Sequence, residues 1–290
     1  MPFWQKRTMV KCFAPSKLNL CLHVIGQRSD GRHLLDSLVM MLDYGDWIVA
    51  KMANSLSLRL SGPFSEKISN DESNLVVKAA QLLCESAGAE LSLEKNIPVS
   101  AGIGGGSSDA AATLRALSEM WNVPLPSNQT LSLLGADVAV SMSEGLTRMR
   151  GIGEKLTPLY PKPCFNFLLV NPGVELLTPK VFSTLCKKDN DPISGDIPAT
   201  DSLQPWIDYL LSQRNDLEQP AIDLQPVVGD VLSSLRKASQ VKLVRMSGSG
   251  ATCFGLFSTW SAALSAESLF REEHPSWWVQ AARPWYPNSN

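Results

Sequence analysis

The chain has almost no net charge, no closely spaced cysteine pair and no long apolar run, and each absence removes a class of function. Its 26 Lys and Arg stand against 28 Asp and Glu, a formal net charge of -2 over 290 residues. That balance supplies no broad basic surface, so a nucleic-acid partner is disfavoured and any phosphate contacts are expected to be local. The six cysteines (Cys12, Cys21, Cys84, Cys164, Cys186, Cys253) never fall in a C-x-x-C pair, and their neighbours are mostly apolar, as in Leu20-Cys21-Leu22. Buried reduced thiols and a reducing compartment are expected. No stretch approaches the roughly 18 apolar residues of a membrane span, and Met1 to Val10 leads into no apolar signal-peptide core. The expectation is a soluble cytoplasmic protein with neither nucleic acid nor membrane as partner, its oligomeric state left open.

What is present is an ordinary globular balance, 44% hydrophobic and 19% charged. The length exceeds the usual size of one core and favours two domains. Val10 to Phe13, Leu18 to Ile25, Leu34 to Leu42, Trp47 to Met52 and Ser55 to Leu60 are apolar or alternating runs broken by turn residues. They predict short strands, with Ser29-Asp30-Gly31 as a turn between two of them. Helical spacing follows from Asn74 to Gly88, capped by Asn74, stopped by Gly88, with Leu75, Ala79, Leu82 and Leu83 on one face. A strand from Glu90 to Leu93 leads into a glycine-rich segment, from which a helix opens directly and runs over Asp109 to Met120. A further helix, Asn128 to Leu134, ends at Gly135.

Loop-like composition from Pro158 to Pro163 places the domain division, giving 1–160 and 161–290. The second half predicts strands over Phe165 to Val170, Val241 to Met246 and Thr252 to Phe257. Helices are expected near Pro179 to Cys186, Trp206 to Leu211 and Val227 to Ala238, with a loop over Asp189 to Asp201. Trp277, Trp278 and Trp285 read either as an edge strand packing on the second domain or as a contact with another chain.

The segment Ser100-Ala101-Gly102-Ile103-Gly104-Gly105-Gly106-Ser107-Ser108 carries the chemistry. A Walker loop needs Gly-Lys-Ser/Thr at its end, and no lysine follows Gly106. A dinucleotide fingerprint needs a third glycine where Ser107 stands, and lacks its acidic residue about 20 positions on. What remains is a run that turns tightly and aims N–H groups at the start of a helix toward an anion, with Ser107 and Ser108 adding hydroxyls. The bland alternative is a glycine hinge. Phosphoryl transfer also needs a group that orients the acceptor hydroxyl and a positive charge near the developing negative one. Asp137, after Gly135 and flanked by Val138, is a candidate for the first, and Lys17, within Ala14 to Leu20, for the second. Alone, each also reads plainly, the aspartate as a helix cap and the lysine as a strand residue facing solvent.

In order along the chain, Ala14-Pro15-Ser16-Lys17-Leu18-Asn19-Leu20, the glycine segment, Gly135-Ala136-Asp137-Val138 and Ser247-Gly248-Ser249-Gly250-Ala251 resemble the motifs of the GHMP superfamily of small-molecule kinases. Four further segments resemble one branch of it: Gly26 to His33, Leu42 to Asp46, Ser73 to Ala80 and Gly151 to Glu154. That branch phosphorylates a cytidine diphosphate-linked methylerythritol on the methylerythritol phosphate route to isoprenoid precursors. The resemblance runs from about residue 8 to residue 258.

It implies an α+β, two-domain GHMP kinase fold. An N-terminal α/β domain like ribosomal protein S5 and a C-terminal ferredoxin-like α+β domain would have the active site in the cleft between them. ATP would be the co-substrate, bound by the segment from Ser100 to Ser108, with Asn74 and Lys95 near the purine. Asp137 would be the catalytic base, or the group that orients the hydroxyl, and Lys17 would keep it ionised and lower the pKa of the hydroxyl. Asn19, Arg32, His33, Thr178 and Phe182 would hold the small-molecule substrate, with Phe182 stacked on cytosine and His33 hydrogen-bonded to its edge. Core packing is the other reading of Phe182.

Two residues depart from the family pattern. Arg32 stands where an aromatic is common, and its guanidinium plane can stack on a base or face a diphosphate. Ala139 stands where proline is frequent. Mg²⁺ is expected from the chemistry of ATP rather than from a motif, with Ser108 a possible ligand and no carboxylate assigned to it. Competing expectations are a GHMP kinase acting on homoserine or mevalonate, and a non-catalytic RNA-binding or regulatory protein on the same fold.

Overall fold

The short runs expected in the N-terminal part merge into two long strands. In the computed structural model, which describes residues 7–84 and 87–287, β1 spans Met9–Gln27 and β2 spans His33–Met52, with the turn at Ser29 to Gly31 between them. The expected breaks at Ala14-Pro15-Ser16 and at Asp43 to Asp46 do not occur. Ala14 to Val24 and Asp36 to Leu42 are buried without interruption, and a strand covered on both faces loses the alternation by which strands are read. Gly45 belongs to this close packing, because a Cβ there would lie 2.1 Å from the carbonyl oxygen of Ala14.

The chain continues with β3 (Ser57–Ser61), α1 (Leu75–Leu83), β4 (Ala89–Glu94), α2 (Gly105–Trp121), α3 (Asn128–Leu131), α4 (Ala136–Ser141), β5 (Leu146–Gly151) and β6 (Lys155–Pro158). Then come β7 (Phe167–Asn171), α5 (Thr178–Thr184), α6 (Leu203–Leu211), α7 (Glu218–Leu224), α8 (Val227–Lys237), β8 (Val241–Met246), β9 (Cys253–Phe257), α9 (Trp260–Glu273) and β10 (Trp278–Ala282). Among the described residues, no helix is long and apolar enough to cross a membrane.

These elements form two compact units. The first comprises Met1–Ser16, Gly45–Val99 and Gly104–Met142. In it β4 pairs antiparallel with the end of β2, Trp47 opposite Glu94 and Met52 opposite Ala89, and β3 adds to β4 in parallel. Ala89, Leu91 and Leu93 alternate into a core completed by Ile48, Val76, Ala80, Ala112, Ala116 and Leu117. Asn74 caps α1 as expected, its Oδ1 accepting from Val76 N at 2.9 Å. The helix stops at Leu83 rather than at Gly88, and its buried residues are Val76, Val77, Ala79 and Ala80, with Leu82 and Leu83 only half-buried. β-Branched valines close to the sheet take the inner face that the longer leucines were expected to fill.

The second unit comprises Lys17–Tyr44, Ser100–Ile103 and Ser143–Asn290. Here β5 pairs antiparallel with the first part of β2, Leu35 opposite Gly151, and forms a hairpin with β6. A second sheet runs in the order β10-β7-β9-β8, antiparallel throughout. Its β10 is the edge strand expected of the tryptophan-rich tail. Val231, Leu232, Leu235, Ala263, Ala266 and Phe270 from α8 and α9 cover it. None of the six cysteines is in a disulfide. Cys21 and Cys253 are buried, but Cys164 and Cys186 are exposed, against the expectation of general burial, since both lie in irregular segments outside the cores.

Candidate active site

In the first unit the backbone after β4 is pinned. Asp46 Oδ1, on β2, accepts from the N–H groups of Asn96 at 2.5 Å and Ile97 at 2.9 Å. Gly104 takes a left-handed φ of 68° as the N-cap of α2, so the helix begins inside the glycine run, as the sequence implies. The first-turn N–H groups of such a helix have no acceptor within it and point together, which suits this end to an anion. Ser108 is fully buried and its hydroxyl donates to Pro15 O at 2.6 Å, tying α2 to β1.

The start of α4 lies beside the start of α2, since a Cβ on Gly135 would stand 3.9 Å from Ser107 Oγ. Asp137 sits half-buried in the first turn of α4. It is not the helix cap: Gly135 holds that position and no side chain caps the helix. Asn74, besides capping α1, donates through Nδ2 to Ser69 O at 2.7 Å. Lys95 is buried, and its ammonium bonds Asp46 Oδ2 at 2.5 Å and Asp109 Oδ2 at 2.7 Å.

In the second unit, residues 100–103 thread between β1 and the turn at Ser247 to Thr252. Lys17 N donates to Ile103 O at 2.9 Å, Thr252 N to Ala101 O at 3.1 Å, and Ser247 Oγ to Gly102 O at 3.1 Å. Lys17 is 4% exposed, so the solvent-facing reading fails, and its Nζ donates to Asn19 Oδ1 at 2.9 Å. The Asn19 amide also donates to Ser37 Oγ at 2.8 Å, and Asn19 N donates to Ser247 Oγ at 3.0 Å. Asn19 therefore fixes the lysine with both ends of its side chain engaged.

Of the acceptor candidates, His33 and Phe182 stack with ring centroids 4.5 Å apart and planes 20° apart. His33 Nε2 is buried and receives no hydrogen bond among the described residues. Burial, and then the charge of Lys188, hold the His33 pKa below the ordinary histidine value, which keeps the ring neutral at pH 7. Phe182 also packs against the core, as its plainer reading expects. Thr178 Oγ1 lies 2.8 Å from Ser249 Oγ. Arg32 is exposed in the turn before β2, where its N–H donates to Asp30 Oδ1 at 3.1 Å.

Sequence reasoning missed Asn215 and Arg245. Asn215 Nδ2 donates to both Met246 O at 2.8 Å and Gly248 O at 2.9 Å, which holds the turn that carries Ser247. Arg245, buried, donates to the carbonyls of Leu20, Leu210 and Gln213. An arginine just before the Ser247 to Ala251 segment was the signal available.

Two family models match the chain, the GHMP kinases N terminal domain over residues 74–146 and the GHMP kinases C terminal over residues 197–273. The 4-diphosphocytidyl-2-C-methyl-D-erythritol kinase of Ruegeria pomeroyi is 47% identical over 276 residues, covering 94% of this chain and 99% of that protein. The protein of the same name from Cereibacter sphaeroides is 48% identical over 276 residues, covering 95% and 99%. A crystal structure of 4-(cytidine 5'-diphospho)-2C-methyl-D-erythritol kinase aligns with a TM-score of 0.77 at 31% identity, covering 95% of this chain and 99% of that one.

Proposed function

The chain belongs to the 4-diphosphocytidyl-2-C-methyl-D-erythritol kinases of the GHMP kinase family, and on that premise we propose how its residues divide the work. The reaction is the ATP-dependent phosphorylation of the 2-hydroxyl of 4-diphosphocytidyl-2-C-methyl-D-erythritol. It gives the 2-phosphate and ADP on the methylerythritol phosphate route. The fold is the two-domain α+β fold of that family.

Residues 100–108 hold the polyphosphate of ATP through the N–H groups at the start of α2 and the hydroxyl of Ser107, while Ser108, its hydroxyl buried against Pro15 O, anchors the turn beneath them. Asn74 and Lys95 support the purine end, Asn74 by shaping the entry to α1 and Lys95 through its place under α2. Asp137 orients the acceptor hydroxyl and takes its proton as attack proceeds. Lys17, held by Asn19, supplies the positive charge that the developing negative charge on oxygen requires. His33 and Phe182 form a platform for cytosine, Phe182 by stacking and neutral His33 through Nε2 at the base edge. Arg32 and Thr178 complete the hold on the cytidine diphosphate.

Among the described residues, no three His, Cys, Asp or Glu side chains gather as a metal site. The N–H groups at the start of α2 would hold phosphate oxygens, and an Mg²⁺ arriving with ATP would be carried by those phosphates and water and would draw negative charge off the transferring group. Neither nucleic acid nor membrane enters this account. The proposed setting is the cytoplasm.

The observation that carries this reading is the buried Lys17–Asn19 pair bonded to the same turn, at Ser247, that holds Gly102. Asp137→Asn is the test. Its kcat should fall by about 10²- to 10⁴-fold, the usual worth of a positioned base, with ATP affinity within about twofold of wild type. Undiminished turnover would remove Asp137 from the chemistry.

A further inference from the structure

Under the first turn of α2 lies a buried ionic cluster. Asp46, Lys95 and Asp109 are each nearly inaccessible, and the one ammonium is shared by two carboxylates, at 2.5 Å and 2.7 Å. Asp46 is well satisfied, because its other oxygen accepts from two backbone N–H groups. Asp109 is not: its Oδ1 is buried and no hydrogen bond reaches it among the described residues. A bare buried oxygen is costly on a carboxylate and far less so on a carboxylic acid.

The cluster also adjoins the backbone that would face phosphate. A Cβ on Gly105, the first residue of α2, would stand 2.9 Å from Lys95 Nζ, and Asp109 follows one turn later on the same helix. With Asp109 protonated, the three side chains sum to zero. With it ionised, they carry one negative charge inside a low-dielectric core, close to an anion site.

We propose that the Asp46–Lys95–Asp109 cluster sets the charge beneath the first turn of α2, and that the proton on Asp109 governs how tightly this turn holds the polyphosphate of ATP. The inference rests on the reading that ATP phosphates bind at the start of α2. Asp109 is then a positioning residue, touching neither substrate nor nucleotide. Burial, and then the charge of Asp46, push its carboxyl up to about 8 against the pull of Lys95. Burial opposes the charge of Lys95, but the two carboxylates hold its pKa above the ordinary lysine value.

Lys95 and Asp46 are the charged groups acting on Asp109. Of the helices packed on α2, α1 buries Val76, Val77, Ala79 and Ala80, and α4 carries Asp137 in its first turn. Arg115, on α2 itself, donates to the carbonyls of Phe13 and Ser141. As pH rises through the folded pKa, the cluster gains its negative charge, so ATP affinity falls on the alkaline side.

The test is the KM for ATP and for the acceptor, measured on the full chain from about pH 6.5 to about pH 9.5. The KM for ATP should rise about tenfold across the alkaline limb while the acceptor KM moves less than about twofold. Asp109→Asn, which keeps the shape of the neutral acid, should make the ATP profile flat. A flat wild-type profile, or an Asp109→Asn profile that follows wild type, overturns the proposal. Infrared spectra of the wild type give a second readout that needs no variant. A protonated-carboxyl band should be present at about pH 7 and lost by about pH 9.5, and its absence at about pH 7 overturns the proposal as well. Failure of the functional reading looks different: no ADP is released with the cytidylyl acceptor at any pH.

Discussion

Replacing Gly102 by alanine asks whether the glycine segment is held by its neighbours or merely bends there. Gly102 has φ of 73°, where an L side chain costs about 1–2 kcal/mol. The new Cβ would lie 2.6 Å from Gly250 O and 2.7 Å from Ser247 O. Both contacts are backbone, so no side chain can swing aside, and overpacking of this kind adds about 1–3 kcal/mol. The sum is about 2–5 kcal/mol of lost stability, equivalent to a fall in Tm of about 3–8 °C for a chain of this length. Relief would require the segment to retreat from Lys17 N, Thr252 N and Ser247 Oγ together, which displaces the start of the run proposed to bind phosphate. Thermal melts and ADP-release kinetics on the purified variant should therefore show the drop in Tm and a KM for ATP raised by about tenfold or more. The internal control is Gly106→Ala, whose Cβ would meet only Leu75 Cδ1 at 3.5 Å and whose Tm should stay within about 2 °C of wild type. A Gly102→Ala protein that melts like wild type and keeps its KM for ATP refutes the rigid-segment account.

Two further outcomes concern the acceptor. Arg32→Ala should raise the KM for the cytidylyl substrate while leaving the KM for ATP unchanged, and steady-state kinetics with each substrate varied will show whether Arg32 belongs to the site. His33 has a lowered folded pKa, so the folded state binds its proton less readily than the unfolded chain. Its contribution to stability is present above the unfolded value of about 6.5 and is lost as pH falls through and below it. The acceptor KM should hold steady from about pH 8 to about pH 6.5 and rise only in more acid solution, and His33→Gln should abolish that acid limb. A KM that rises already between about pH 8 and about pH 7 would contradict a neutral His33.

Much of the fold was legible where local chemistry agrees with tertiary structure. Asn74 caps the helix it was expected to cap, β8 has the expected ends, and α2 opens from the glycines. The long strands were not legible as such, because Pro15 and Gly45 usually punctuate strands, whereas here each is buried inside one continuous strand. α9 escaped notice although Thr259 caps it through a bond from Ala262 N, since its buried face is built mainly from alanines and shows little contrast with the rest of the helix. β5 and β6 carry Arg148, Arg150 and Lys155, which mask their pairing.

At the site, the sequence exposed what is contiguous: the glycine run, and the motif neighbours of Lys17 and Asp137. It could not expose what chain reversal brings together. Asp46, Lys95 and Asp109 are far apart in sequence, and each alone resembles an ordinary turn or helix charge. Asn19, expected against the substrate, also holds Lys17 and Ser37 through its amide, and the bond to Ser37 is visible only once β1 and β2 are paired. Asn215 acts through backbone carbonyls, which leave no mark in a sequence.

The acceptor defines what this kinase does. The most direct measurement is coupled ADP release by the purified chain with Mg-ATP and, in parallel, the cytidylyl methylerythritol, homoserine and mevalonate. The account requires turnover with the cytidylyl substrate at a kcat/KM at least about a hundredfold above either alternative, with the product phosphorylated at the 2-hydroxyl. Turnover of homoserine or mevalonate without turnover of the cytidylyl substrate would contradict it.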